Sequence, residues 1–173
     1  MNSLEKITLR SVRPSDEELL RELYHSTREQ ELAQVPWTME QKQAFVEMQW
    51  QAQKKHYAAE HPRAVHVIIC LEGIPVGRLY MDRSGDEVHI LDITLLPEHR
   101  NHGTGTHLLG QIMAEARNAG KPVTVFVETF NPSLRFFQRL GFSAAEQKGF
   151  HFLMKWTAAT AAPAHDGPRA VNS

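Results

Sequence analysis

The stretch Leu91-Asp92-Ile93-Thr94-Leu95-Leu96-Pro97-Glu98-His99-Arg100-Asn101-His102-Gly103-Thr104-Gly105-Thr106 decides how this chain folds. Its apolar half is strand-like and ends at Pro97; a short basic turn follows, and two glycines open a helix. Beyond them Leu108, Leu109, Ile112, Met113 and Ala116 recur at helical spacing. A helix that starts behind Gly-x-Gly leaves backbone N–H groups unpaired at the positive end of its dipole. Glycine also lets a ligand approach that backbone without meeting a Cβ. Arg100, and His99 or His102 when protonated, add positive charge at the rim. The segment therefore reads as a pyrophosphate seat. No Gly-Lys-Ser/Thr follows the glycines, so it is not a P-loop. Leu108 stands where a dinucleotide fingerprint requires a third small residue.

A second segment lies downstream. Val123 to Val127 form a short apolar strand, followed by Glu128-Thr129-Phe130 and then Asn131-Pro132-Ser133-Leu134-Arg135-Phe136-Phe137-Gln138-Arg139-Leu140-Gly141-Phe142. Asn131 and Pro132 make an N-cap and first-position pair, and Gly141 ends the short helix. The loop Arg100-x-x-Gly103-x-Gly105 resembles the acyl-CoA loop of the GNAT superfamily of N-acetyltransferases. In that superfamily an Asn, a short helix and a closing Gly-Phe follow the fifth strand, and Asn131, Leu140, Gly141 and Phe142 match that order here.

The rest of the chain is consistent with this resemblance. A length of 173 residues suits a single domain with a full hydrophobic core. Lys and Arg number 19 against 20 for Asp and Glu, so no overall field favours nucleic acid or a membrane surface. The lone Cys70 excludes an intrachain disulfide and reads as a buried thiol in a reducing compartment. No signal peptide or membrane-length apolar run is seen, and a cytoplasmic location is the expectation. Leu4 to Val12 alternates as a first strand, and Ser15-x-x-Glu18 and Thr38-x-x-Gln41 look like capping boxes of two helices. The second helix is expected to run through Phe45, Met48 and Ala52 to about Ala59. Strands follow at Val65–Leu71, Pro75–Met81 and Val88–Leu95, and two more close the domain near Phe142–Glu146 and Phe150–Trp156. The predicted order is β-α-α-β-β-β-α-β-α-β-β: an α/β, GNAT-like fold with a central mixed β-sheet flanked by helices. Residues 1–156 form the expected domain, and 157–173, rich in Ala, Thr and Pro, an expected disordered tail.

The resemblance implies that acetyl-CoA is the co-substrate, lying between the fourth and fifth strands. Its pantetheine arm would pair with the main chain of Ile93 and Leu95, and its pyrophosphate would rest on Arg100, Asn101, His102, Gly103, Thr104 and Gly105, with the Thr106 hydroxyl nearby. Thr106 could equally be a first-turn residue facing water. Asn131 and Phe137 complete the implied cofactor site. Phe137 occupies the position where many relatives carry a Tyr that protonates the thiol; Phe cannot, and it packs beneath the sulfur region or in the core instead. Three residues could be the general base: His89, at the position where some relatives place an acid; Asp92, an isolated carboxylate in an apolar strand; and Glu128, at the end of the fifth strand. Simple alternation places Val88, Ile90, Asp92 and Thr94 on one face of the fourth strand, and His89, Leu91, Ile93 and Leu95 on the other.

The acceptor, a primary amine of a small molecule or peptide, is expected at the junction of the two early helices, among Tyr24, Arg28, Glu31 and Trp37. A homodimer is a further implication of the resemblance. Two other readings compete: a non-catalytic acyl-CoA sensor of the same fold, and a metal site built from His99, His102 and His107, whose spacing lacks a ligand signature. No metal is expected.

Overall fold

The computed structural model describes residues 6–158, so Leu4 and all but the first two residues of the expected tail lie outside the described residues. Its strands are β1 (Ile7–Ser11), β2 (Val65–Leu71), β3 (Ile74–Asp82), β4 (Val88–Leu95), β5 (Val123–Glu128), β6 (Ser143–Lys148) and β7 (His151–Trp156). Its helices are α1 (Glu17–Ala33), α2 (Met39–Glu60), α3 (Thr104–Ala119) and α4 (Ser133–Arg139). The seven strands form one mixed sheet in the order β1-β2-β3-β4-β5-β7-β6. Every neighbouring pair is antiparallel except β4–β5, which α3 joins as a parallel crossover.

Each face of the sheet has its own core. Leu108, Leu109, Ile112 and Ala116 of α3 and Phe137 of α4 pack on Leu79, Met81, Val88, Ile90, Val123 and Val125. Leu20, Leu23 and Tyr24 of α1 and Val46 and Trp50 of α2 pack on Ile68 and Cys70 across the sheet. Trp50, at 0% exposure, anchors α2, whereas Met48 lies on its solvent side and adds nothing to the core. The Thr38 capping box forms as expected: Gln41 N–H donates to the Thr38 hydroxyl at 3.1 Å, and Thr38 N–H donates to the Gln41 side chain at 3.0 Å.

The other expected capping box does not form. A 3-10 turn at Pro14–Asp16 precedes α1, and Asp16 stands at the helix N-cap without a side-chain cap bond. Its carboxylate turns back instead, accepting from the Arg13 N–H at 2.7 Å and from two guanidinium nitrogens of Arg10, each at 2.8 Å. The Arg10 bonds hold this buried acid down at about 2, against the opposing effect of burial. The carboxylate thus ties the turn to β1, and the paired guanidinium is the stronger partner for it.

The decisive irregularity is in β4. Met81 pairs with Ile90 but Tyr80 pairs with Asp92, so Leu91 is an extra residue bulged out of the ladder with β3. Alternation therefore breaks at Leu91. His89, Asp92 and Thr94 face α1 and α2 together, while Val88, Ile90 and Ile93 face α3. This corrects the alternation expected for β4, because a bulge moves every later side chain by one position.

Candidate active site

Two strands part at the centre of the sheet. The β4–β5 ladder has three registered pairs, Val88 with Val123, His89 with Thr124 and Ile90 with Val125, and it stops where the bulge begins. Beyond it β4 runs on to Leu95 and β5 to Glu128, leaving a V-shaped cleft inside the sheet. On the α1/α2 side this cleft has His89, Asp92 and Thr94 on one wall and Thr124, Phe126 and Glu128 on the other. Helix α1 straddles the open end. Ser26 accepts from Arg100 Nη2 at 2.9 Å on the β4 side, and Arg28 Nη1 donates to Glu128 Oε1 at 3.2 Å on the β5 side.

The glycine loop lies just past the open end of β4. Asn101 and Gly103 take left-handed backbone, with φ of 62° and 85°. The first bond of α3 runs from His107 N–H to Gly103 C=O at 3.0 Å, so the amides of Thr104, Gly105 and Thr106 precede any helical acceptor. Thr104 is buried, and Asn101, His102, Gly103 and Thr106 are exposed. Gly105 lies beside α4: a Cβ there would reach the Phe136 ring at 3.4 Å, an ordinary van der Waals contact. Arg100 is not the free rim cation its position suggested. Its Nε donates to Leu95 C=O at 2.9 Å, its Nη2 holds Ser26, and its own N–H donates to Pro97 C=O. These partners make it a brace between β4 and α1.

The opposite lip is built from α4. The Asn131 side chain caps it by accepting from Ser133 N–H at 2.9 Å, and Thr129, Phe130, Asn131, Pro132, Leu134 and Arg135 line a groove at the end of β5. Phe137 is 4% exposed and packs edge-on against Phe136 and Phe142 at 5.3 Å, which makes it a core residue.

The candidate bases have different surroundings. Asp92 accepts from Arg78 Nε and, at 2.7 Å, from the Thr94 hydroxyl. Arg78 is 4% exposed and also donates to Gln53 of α2 at 2.7 Å. Glu128 faces Arg28, with His151 Nε2 at 3.9 Å. His89 has no charged hydrogen-bond partner: its Nδ1 lies 2.8 Å from the Thr124 hydroxyl, and its ring meets Phe126 edge-on. Burial, chiefly, draws its imidazole below the ordinary histidine value and keeps it uncharged near neutrality.

The expected acceptor residues are only partly gathered. Arg28 donates to the Tyr24 hydroxyl at 3.3 Å and to Glu31 at 3.3 Å, while its Nε is buried without a partner. Trp37 packs on Phe45 at the start of α2 instead. One contact had no signal in the sequence: the Tyr57 hydroxyl of α2 donates to the carbonyl of the bulged Leu91 at 3.0 Å. Burial raises that phenol far above its usual value, so it remains a donor. No described helix is long and apolar enough to cross a membrane. Among the described residues, no group of three His, Cys, Asp or Glu side chains is placed to hold a metal ion.

Known structures share this fold. The chain superposes on PaiA N-acetyltransferase from Thermoplasma acidophilum in complex with coenzyme A, with a TM-score of 0.67 and 16% identity over 87% of this chain and 98% of that one. An acetyltransferase from Thermus thermophilus gives 0.61 and 19% over 88% and 97%. The ribosomal-protein-S18-alanine N-acetyltransferase from Escherichia coli gives 0.57 and 18% over 87% and 93%. At these identities the likeness is one of fold. No curated protein sequence matches the chain significantly. The sequence profile of the acetyltransferase (GNAT) family matches residues 19–142, which include the parted strands, the glycine loop and the closing Gly141-Phe142. The chain thus belongs to the acetyltransferase (GNAT) family of acyltransferases.

Proposed function

We propose that this acyltransferase moves an acetyl group from acetyl-CoA to a primary amine of a small molecule or peptide by direct attack. The observation that carries the reading is the parting of β4 from β5 beyond Ile90 and Val125. A thioester arm fits between parted strands, where it would pair with the main chain of Ile93 and with the Leu95 N–H, the Leu95 carbonyl being held by Arg100. The pyrophosphate fits the amides from Asn101 to Thr106, where the helix dipole and the free N–H groups favour an anion. Asn131 and the groove beside it supply the other wall.

His89 is the base we assign. With its Nδ1–H donated to Thr124, the Nε2 lone pair takes a proton from the attacking amine, directly or through a water. The amine nitrogen then bonds to the thioester carbon. The negative charge gathers on the carbonyl oxygen, where a backbone N–H of β4 can stabilise it. Collapse of the adduct breaks the C–S bond, and the thiolate is protonated by solvent, since Phe137 has no proton to give. Asp92 and Glu128 are neutralised by Arg78 and Arg28 and serve to hold the walls. Tyr24, Arg28 and Glu31 form the acceptor end, where the unpartnered Nε–H of Arg28 suits a carbonyl or carboxylate on the amine.

Calorimetric titration with acetyl-CoA and with CoA, followed by thiol release over a panel of primary amines, tests this reading. Micromolar binding and amine-dependent thiol release are expected. His89→Gln should retain binding and lose about 10²- to 10⁴-fold in kcat. Binding without turnover on any amine would favour a non-catalytic acyl-CoA sensor, and absence of binding would overturn both.

A further inference from the structure

At the closed end of the cleft three side chains form one row across the sheet: Asp82 of β3, His89 of β4 and Thr124 of β5 are registered neighbours. His61, the residue that ends α2, lies over this row. Its backbone is fixed on both sides, by its own N–H to Tyr57 C=O at 2.8 Å and by Ala64 N–H to its carbonyl at 3.1 Å. Its Nδ1 is 2.9 Å from Asp82 Oδ2, and its ring is stacked on that of His89, with centroids 5.6 Å apart and planes 23° apart. Asp82 is itself held by the Ser84 hydroxyl and by Ser84 N–H at 2.9 Å. The Ser84 bonds, with His61 adding to them, keep this acid ionised down to about 2.

We propose that His61, fixed by Asp82, is a positioning residue that holds the His89 ring in its orientation against Thr124 and Phe126. The proposal rests on the reading of His89 as the base. Asp82 is a permanent acceptor, so His61 carries its proton on Nδ1 and presents Nε2 outward. His61 is thereby anchored by a carboxylate at contact, whereas the His89 ring has only the Thr124 hydroxyl and its ring neighbours His61 and Phe126 to hold it. Other groups around His89 are accounted for. Glu87, in the turn before β4, and Asp82 favour its protonated form, and burial and His61 oppose it. On the β5 side it meets Phe126, over whose ring stands Lys148 of β6. The arrangement sets the His89 ring at the vertex of the cleft, flanked by the His61 ring on one side and by Phe126 on the other.

NMR of the imidazole signals in the full chain tests the proposal without any acceptor. In the unaltered protein His61 should show the Nδ1–H tautomer, and Asp82→Asn should release it into a mixture. In His61→Gln the nuclear Overhauser contacts between the His89 and Phe126 rings should weaken as the His89 ring loses its fixed orientation. Circular dichroism of each variant establishes that it is folded, and the two variants alter different residues. His89–Phe126 contacts unchanged in folded His61→Gln, or a mixed His61 tautomer in the unaltered protein, overturns the proposal. The assignment of His89 as the base fails separately, by full amine acetylation in His89→Gln. In that case the tautomer and the ring orientation would stand as properties of the pair alone.

Discussion

Burial lowers the His89 imidazole below the ordinary value near 6.5, His61 adds to the effect, and Glu87 and Asp82 oppose it. A base works only when unprotonated, so with His89 as the proposed base kcat/KM should climb with pH on a limb centred below the ordinary histidine value. A pH–rate profile with saturating acetyl-CoA checks it; a limb centred above 7 would assign the proton to another group. Phe137 makes a second consequence at this scale. It fills the position of a proton-donating Tyr in many relatives, yet it packs between Phe136 and Phe142 in the core. Phe137→Tyr should therefore restore nothing in kcat and should lower stability by about 1–3 kcal/mol, because the new hydroxyl is buried without a partner. Denaturant unfolding beside steady-state kinetics reads both. That Phe137 departs from the pattern was visible in the chain. That Tyr57 supports the carbonyl of Leu91 was not, since a lone tyrosine on a helix has no motif.

At the scale of elements, the bulge in β4 organises the site, and two side chains from neighbouring elements hold it. Arg78→Met would leave the Asp92 carboxylate without its cation and lower stability by about 3 kcal/mol. Tyr57→Phe removes one hydrogen bond to Leu91 and should lower stability by about 1 kcal/mol, with a raised KM for acetyl-CoA as the bulge loosens. Unchanged KM in that variant would detach the bulge from cofactor binding. In the loop, Gly103→Ala forces an alanine to a φ of 85° and should lower stability by about 1–2 kcal/mol while weakening CoA binding in calorimetry. The strands, the helices and the glycine turn were all legible as periodicity and punctuation. The bulge was not, because Val88 to Leu95 alternates plausibly without it. The face on which Asp92 lies therefore came out wrong, and with it the grouping of His89 and Asp92.

Across the whole molecule, charge balance and burial set how stability responds to pH. Burial first, and then the Arg78 charge, push His66 down to about 4. The unfolded chain takes up a proton at this residue near 6.5 and the folded chain does not until about 4, so folding stability falls as pH drops through that window and is flat above it. Asp16 and Asp82, both held at about 2, add a further loss only below the ordinary carboxylate value of 3.8. Urea midpoints at pH 7 and pH 5 should differ in the unaltered protein and differ less in His66→Gln, where His89 alone of the two lowered histidines remains; an undiminished difference would place the proton uptake elsewhere. The order of elements, the mixed sheet and the glycine loop were already present in the linear chain, because they follow from hydrophobic period, caps and glycine, which act over a few residues. Packing alone brought Asp82, His61 and His89 together, turned Arg100 inward to Ser26, and set Arg28 against Glu128. Those contacts join residues far apart in the chain, and their geometry depends on where a bulge shifts one strand by a single residue.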